Sequence, residues 1–276
     1  MQRKEIGGMA CLVLTAMIWG FAFVSQVQGM ASMSPLFFGA TRFTLGALSL
    51  IPLLWFRRRG IAEQERRRRE SNECPTVTLG NGITVAMPKC LGNPVVVSVI
   101  CGIVLFTAST VQQYGILYSG SAGRSGFITA LYIVLVPLAG MFLGKKANKR
   151  LFLCVLIAVV GLYFLCFTGS EGAMSFGRGD FLVFLCAFAF TGHILCVDHY
   201  VQKVDGIVLS CVQFAVMMVL STVCAFTFET VDFAALGECT FYILYIGILS
   251  SAGGYTLQIL AQKDGDPTVV SLILSL

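Results

Sequence analysis

Four sets of polar side chains recur at helical spacing inside stretches that are otherwise apolar. Thr15, Trp19, Ala22 and Gln26 are 4, 3 and 4 residues apart, which puts them on one helical face. Ser251, Tyr255, Gln258 and Gln262 repeat that spacing. Ser125, Thr129 and Tyr132 form a third set, and Ser109, Gln112 and Gln113 a fourth. Amides, hydroxyls and an indole N–H at such positions can line a polar path between helices. They can also bond to one another across packed helices, for under ~2 kcal/mol each. Spacing alone leaves both roles open.

Arg42 is the sharpest single residue. It lies seven residues into its apolar stretch, roughly 10 Å deep at about 1.5 Å per residue. A guanidinium there can meet a carboxylate solute, snorkel outward, or bind backbone carbonyls. His193 stands in mid-helix, where an imidazole that titrates near neutrality suits a proton relay. A structural hydrogen bond is the plainer role. His199 is six residues further on, too far around the helix to form a metal pair with it. Most of the eleven cysteines sit in apolar blocks as small soft hydrophobes. Cys74 and Cys90 lie in a polar stretch and form no CxxC pair, so neither a zinc site nor a disulfide is expected. No metal, cofactor or catalytic set is expected. The run Gly140 to Lys145 is one residue short of a P-loop and lacks the following Ser or Thr, which argues against an ATP-driven pump. A membrane-embedded enzyme needs paired carboxylates or a histidine–carboxylate set, and no span holds an acidic pair.

The elements that position these residues follow from composition. Of 276 residues, 57% are hydrophobic and 12% charged, against roughly 25% charged in soluble domains. The apolar residues fall in blocks of about 20, the length that crosses a hydrocarbon core. Spans are read at 7–27, 35–56, 94–119, 124–144, 150–169, 179–199, 206–228 and 240–262, with a further block from 267. The blocks are continuous rather than alternating, so helices are expected. Arg3 and Lys4 precede the first block, but its length fits a retained helix better than a cleaved signal peptide. Lys and Arg crowd the second connection (Arg57, Arg58, Arg59, Arg66 to Arg69) and the fourth (Lys145, Lys146, Lys149, Arg150). Even-numbered connections and the N-terminus are therefore expected on the cytoplasmic side. Arg124 and Arg178 are the weak exceptions. The arginine run reads as a topology anchor, with anionic headgroup contact as the other use. Within 57–92, residues Thr76 to Val85 read as two short strands around a glycine turn. Pro137 is expected to bend the fourth helix, a candidate gating point. Gly247, Ser250, Ser251 and Gly254 give the small-residue spacing of close helix packing. The last ten residues span only about 15 Å, so the bundle is expected to be truncated after about nine helices.

The two halves align weakly. Leu14 to Trp19 falls on Leu185 to Phe190, and Arg42-Phe43 falls on Gln213-Phe214, both at an offset of 171. Five spans separate the copies, so the second runs inverted, as in many secondary transporters. Tyr114 to Pro137, with Ile18 to Val24 and Phe37 to Phe43, resembles EamA-type transporters of the drug/metabolite transporter superfamily. That resemblance implies an all-α integral membrane protein with ten helices in a 5+5 inverted repeat. The halves would be 1–169, carrying the 57–92 insertion, and 170–276, holding helices 6–8 and part of 9. It also implies transport of small metabolites, often amino acids or related compounds and frequently as export, at the plasma (inner) membrane. A lipid or nucleotide-sugar carrier of the same superfamily shares the fold, and a membrane-embedded enzyme or a sensor is the alternative from another class. The expected partners are a small solute and the bilayer, with a homodimer open and no nucleic acid. The candidate pathway residues are Trp19, Gln26, Arg42, Gln112, Gln113, Thr129, Tyr132, His193, Gln213, Tyr255 and Gln258.

Overall fold

The computed structural model describes residues 2–70, 76–78, 84–86, 93–142, 177–201, 204–263 and 265–276, with isolated positions between 153 and 164. The span expected at 150–169 lies outside the described residues apart from those positions. Seven helical stretches among the described residues are long and apolar enough to cross a membrane: Gly7–Gly29, Pro35–Glu63, Pro94–Ser119, Ala122–Phe142, Arg178–Tyr200, Gly206–Phe228 and Thr240–Gln262. Their outer faces carry Met17, Phe21, Phe56, Phe226 and Phe241 exposed, while Phe38, Phe43, Leu105, Phe214 and Met217 are sealed inside. A chain solvated by lipid tails incurs no penalty for the first group.

In chain order the helices are α1 (Gln2–Gly29), α2 (Pro35–Glu70), α3 (Pro94–Ser119), α4 (Ala122–Thr129), α5 (Tyr132–Phe142), α6 (Arg178–Tyr200), α7 (Gly206–Phe228), the short α8 (Ala235–Glu238), α9 (Thr240–Leu244), α10 (Thr256–Gln262) and α11 (Pro267–Leu274). A π-segment, Tyr245–Tyr255, joins α9 to α10. The expected hairpin is present: β1 (Thr76–Thr78) pairs antiparallel with β2 (Thr84–Ala86), Val77 opposite Val85.

Local chemistry sets many of the ends. Asn93 caps α3 by accepting from the Val95 amide at 2.9 Å, with Pro94 at the first helical position. Gly120, at φ 63°, ends α3 in the left-handed region a glycine enters freely, and Ser121 then caps α4. Asp205 and Asp266 cap α7 and α11 in the same way.

Three elements differ from the sequence reading. The second helix does not stop near residue 56 but runs on to Glu70. Arg, Ala, Glu and Gln dominate Arg57 to Glu70, and these strong helix formers continue the α2 rod beyond the apolar block. The fourth span is not a bent helix but two helices. At Ala130–Leu131 the bonds tighten to three-residue spacing, Leu131 N to Ile128 O at 3.2 Å and Ile133 N to Ala130 O at 3.0 Å. Pro137 lies inside α5 without an N–H, crowding the carbonyl of Ile133 just past the break. The eighth span is wound as a π-helix over its middle eleven residues.

Two ends of the bundle can be told apart. At one, Arg57 reaches Asp205 at 3.8 Å, tying the far half of α2 to the start of α7. At the other, Glu229 follows α7 and turns its carboxylate onto the start of α2. It accepts from the Leu36 and Phe37 amides at 3.1 Å and from the Tyr114 hydroxyl at 2.7 Å. A side chain from another helix thus does the work of an N-cap, where the macrodipole favours an anion. Also at this end, Arg124 of α4 meets Asp180 of α6 at 3.4 Å, and Asp180 accepts from the Gly177 amide at 3.0 Å. This pairing neutralises one of the two arginines that depart from the expected positive-inside pattern.

Replacing Glu229 by Ala should lower stability by about 2 kcal/mol or more, since hydrogen bonds to a charged group are worth roughly 1.5–3 kcal/mol each. Tyr114→Phe should lower it less. Melting curves of the purified chain in detergent will check both, and equal loss in the two variants would show that the amide contacts carry nothing.

Candidate functional site

A cavity of about 860 Å³ lies among α1, α2, α4, α5, α6, the π-segment and the end of α11. Its lining runs from Ala122 and Gly123, at the start of α4, down to Tyr132, Phe190 and Tyr255. It therefore occupies the Glu229 half of the bundle and reaches roughly to the middle.

Each functional side chain is brought in by a specific backbone feature. Trp19 comes from α1, and its indole Nε1 donates to the Ser250 carbonyl at 3.2 Å. Tyr245 donates to the Ile18 carbonyl at 2.9 Å, so α1 is bound to the π-segment by side-chain bonds running both ways. The small residues read as packing positions do pack. A Cβ on Gly247 would come within 2.7 Å of Leu45 on α2, and one on Gly254 within 2.5 Å of the Trp19 indole. Tyr255, at the end of the π-segment, lies 4.8 Å from the Trp19 ring, 5.8 Å from Phe214 and 6.2 Å from His193, centroid to centroid. Trp19 and Tyr255 form the aromatic floor of the cavity, with Phe214 and His193 packed behind them.

Arg42 enters from α2. It is only 3% exposed, and what it shows faces the cavity. Its Nη1 donates to Gln26 Oε1 at 3.0 Å and its Nε to Ser251 Oγ at 3.4 Å, and the guanidinium carbon lies 4.5 Å from the Phe43 ring. It neither snorkels out nor rests on backbone carbonyls. Among the described residues it makes no ion pair, and no Asp or Glu lines the cavity. Opposite, Gln112 donates to Thr129 Oγ1 at 3.2 Å, while the Thr129 hydroxyl donates to the Ser125 carbonyl at 2.8 Å. The break after Thr129 puts Ala130 and Leu131 on the cavity wall.

Seven of the residues singled out in the sequence therefore share one cavity: Trp19, Gln26, Arg42, Gln112, Thr129, Tyr132 and Tyr255. Four do not line it. Gln113 turns to α2, its Oε1 at 3.1 Å from where a Cβ of Gly39 would sit. His193 and Gln213, both sealed from solvent, bond to each other at 3.3 Å between α6 and α7. Gln258 donates to Gln262 at 3.1 Å, and Gln262 donates to the Ile194 carbonyl at 3.1 Å. These residues form a separate polar layer beyond the floor, toward the arginine end. Near it His193 Nδ1, Gln213 Nε2, Gln258 Oε1, Ser210 Oγ and Thr256 Oγ1 find no partner among the described residues. Sequence reading missed Phe23, Phe127 and Phe190, which give the cavity much of its apolar wall. An aromatic residue in a lipid-length block gives no sign that it faces inward.

A membrane-spanning helical bundle with a mid-depth cavity that carries a few polar side chains is an architecture shared with solute carriers. The model of the EamA-like transporter family matches residues 6–167 and 177–276. The chain belongs to that family, within the drug/metabolite transporter superfamily, and is a multi-pass membrane transporter. A protein described as an uncharacterized transporter, from Archaeoglobus fulgidus (strain ATCC 49558 / DSM 4304 / JCM 9628 / NBRC 100126 / VC-16), is 27% identical over 268 residues. That match covers 96% of this chain and 72% of the relative. A crystal structure of another protein superposes with a TM-score of 0.68 at 17% identity, covering all of this chain and 84% of that one, a likeness of fold.

The polar layer yields a double-mutant test. His193→Leu and Gln213→Leu should each lower stability by about 1 kcal/mol, the scale of a hydrogen bond between membrane helices. Together they should cost less than the sum, because one bond is lost only once. Melting temperatures of the three variants in one detergent will decide it, and strict additivity would show that the two side chains are not coupled.

Proposed function

We propose that the chain is a secondary transporter that carries small metabolites, amino acids or related compounds, out of the cell by alternating access, without changing them chemically. The observation that carries this reading is the cavity itself. It is a cavity at mid-depth whose walls are largely apolar and aromatic, into which Gln26, Arg42, Gln112 and Thr129 bring a few polar groups, with Trp19 and Tyr255 stacked at its floor. Substrate sites of inverted-repeat carriers lie at that depth.

The polar layer under the floor supports alternating access. Five partnerless buried polar atoms clustered between α6, α7 and α10 are costly in a resting core. They are suited to a half-path that becomes hydrated when the bundle opens toward the arginine end. The excess of Lys and Arg at that end supports a cytoplasmic N-terminus in the plasma membrane. The cavity then faces outward, and the His193–Gln213 layer is the closed cytoplasmic half. The division into repeats 1–169 and 170–276 is supported by the two stretches matched to the family, 6–167 and 177–276. It is also supported by direction: the start of α6 lies against the end of α3, so α6 runs opposite to α1.

The test is flux through reconstituted vesicles loaded with a panel of labelled metabolites, with Gly123→Trp as the blocking variant. Gly123 lines the outer part of the cavity and nothing lies within 4 Å of where its Cβ would stand. The indole should fill the entrance, reducing flux at least tenfold while the melting temperature changes little. Unchanged flux in that variant would remove the cavity from the transport path.

A further inference from the structure

We propose that the cavity is built for a monovalent organic anion, a carboxylate on an apolar or aromatic body, in preference to a zwitterion, a cation or a dianion. This rests on the transport reading above and narrows its cargo, from amino acids and related compounds in general to the related carboxylates that lack the ammonium group.

The argument begins with the charge on Arg42. A guanidinium has five N–H groups. Nε and one N–H of Nη1 are used on Ser251 and Gln26. Among the described residues Nη2 makes no hydrogen bond, although the side chain is 97% removed from solvent and borders the cavity. Both bonds that do form are to neutral groups, so the positive charge is solvated but not balanced. A buried cation without a counter-charge is expensive, and the economical remedy is an anion brought from outside. The fork geometry of the free edge suits the two oxygens of a carboxylate.

The rest of the lining excludes the other charge types. Among the described residues no Asp or Glu borders the cavity to receive an ammonium. The ring faces of Trp19 and Tyr255 could otherwise hold one, but Arg42 faces the same space and repels it. Among the described lining residues there is no second cation, so the second carboxylate of a dianion would be buried without a partner. The rest of the wall includes Phe23, Phe127, Tyr132 and Phe190, with Trp19 and Tyr255 at the floor. That surface rewards an apolar body and offers few partners to a polyhydroxylated one.

The test uses four ligands with one phenyl body and different charge: 3-phenylpropionate, 3-phenylpropylamine, free phenylalanine and phenylsuccinate. Trp19 and Trp55 are the two tryptophans of the chain. In the Trp55→Phe variant of the full-length protein, Trp19 fluorescence reports directly from the cavity. The expected result is saturable quenching by 3-phenylpropionate, at least tenfold weaker binding of phenylalanine and phenylsuccinate, and none of the amine. Added Arg42→Gln should abolish phenylpropionate binding, and Arg42→Lys should weaken it severalfold. The inference is overturned if the amine or phenylalanine binds as well as phenylpropionate. It is equally overturned if none of the four binds, or if Arg42→Gln leaves the affinity within twofold. Should the arginine variants fail to fold, the ligand series on the wild-type site decides alone. Failure of the transport reading looks different: phenylpropionate would bind with the stated selectivity while vesicles move no solute.

Discussion

Within hydrocarbon every peptide group must find its partner inside the chain, at several kcal/mol for each that does not. That requirement makes the bundle helical and decides where irregular backbone is tolerated. Among the described residues two departures from α-geometry occur within spans, the break at Ala130–Leu131 and the π-segment Tyr245–Tyr255. Both border the cavity: Ala130 and Leu131 on one wall, Ser250 and Tyr255 on the other. The Ser250 carbonyl takes up the Trp19 indole N–H, so a carbonyl in the π-segment is used by a neighbouring helix. Irregular winding and polar lining coincide because both are excluded from contact with lipid.

Charge follows the same constraint. Arg57 and Arg124 each meet an aspartate near an end of the bundle, and Glu229 spends its charge on two helix amides and a tyrosine. Arg42 is treated differently. It is as deeply enclosed as the apolar core, yet it is given only a glutamine and a serine. A site meant purely to hold the fold together would have no reason to leave such a charge unbalanced. In a carrier, the missing counter-charge is what the solute supplies.

Much of this was legible in the sequence because lipid imposes a length rule that single residues cannot override. The third and seventh spans, expected at 94–119 and 206–228, coincide with Pro94–Ser119 and Gly206–Phe228. Pro94 and Asn93 at one start, and Asp205 at the other, mark those boundaries chemically. The continuation of α2 to Glu70 was hidden because hydropathy falls while helix propensity does not. Polar faces were recognisable, but which of them meet is a non-local matter. Gln112 found Thr129 while its neighbour Gln113 turned to α2, a distinction of one residue that spacing does not carry. The Glu229 tie joins residues 193 apart in sequence and leaves no local trace.

The π-segment has a consequence for everything that follows it. Closing bonds at i→i+5 turns the chain through a smaller angle per residue than α-winding does. The azimuth of α10 is therefore set by how many residues are wound the slow way. Read as a continuous α-helix, Ser251, Tyr255, Gln258 and Gln262 form a single stripe. In the structure Ser251 meets Arg42, Tyr255 closes the floor, and Gln258 bonds Gln262, which in turn reaches α6. The slow winding works as a phase shifter, letting one helix serve the cavity on its first half and the sealed layer on its second.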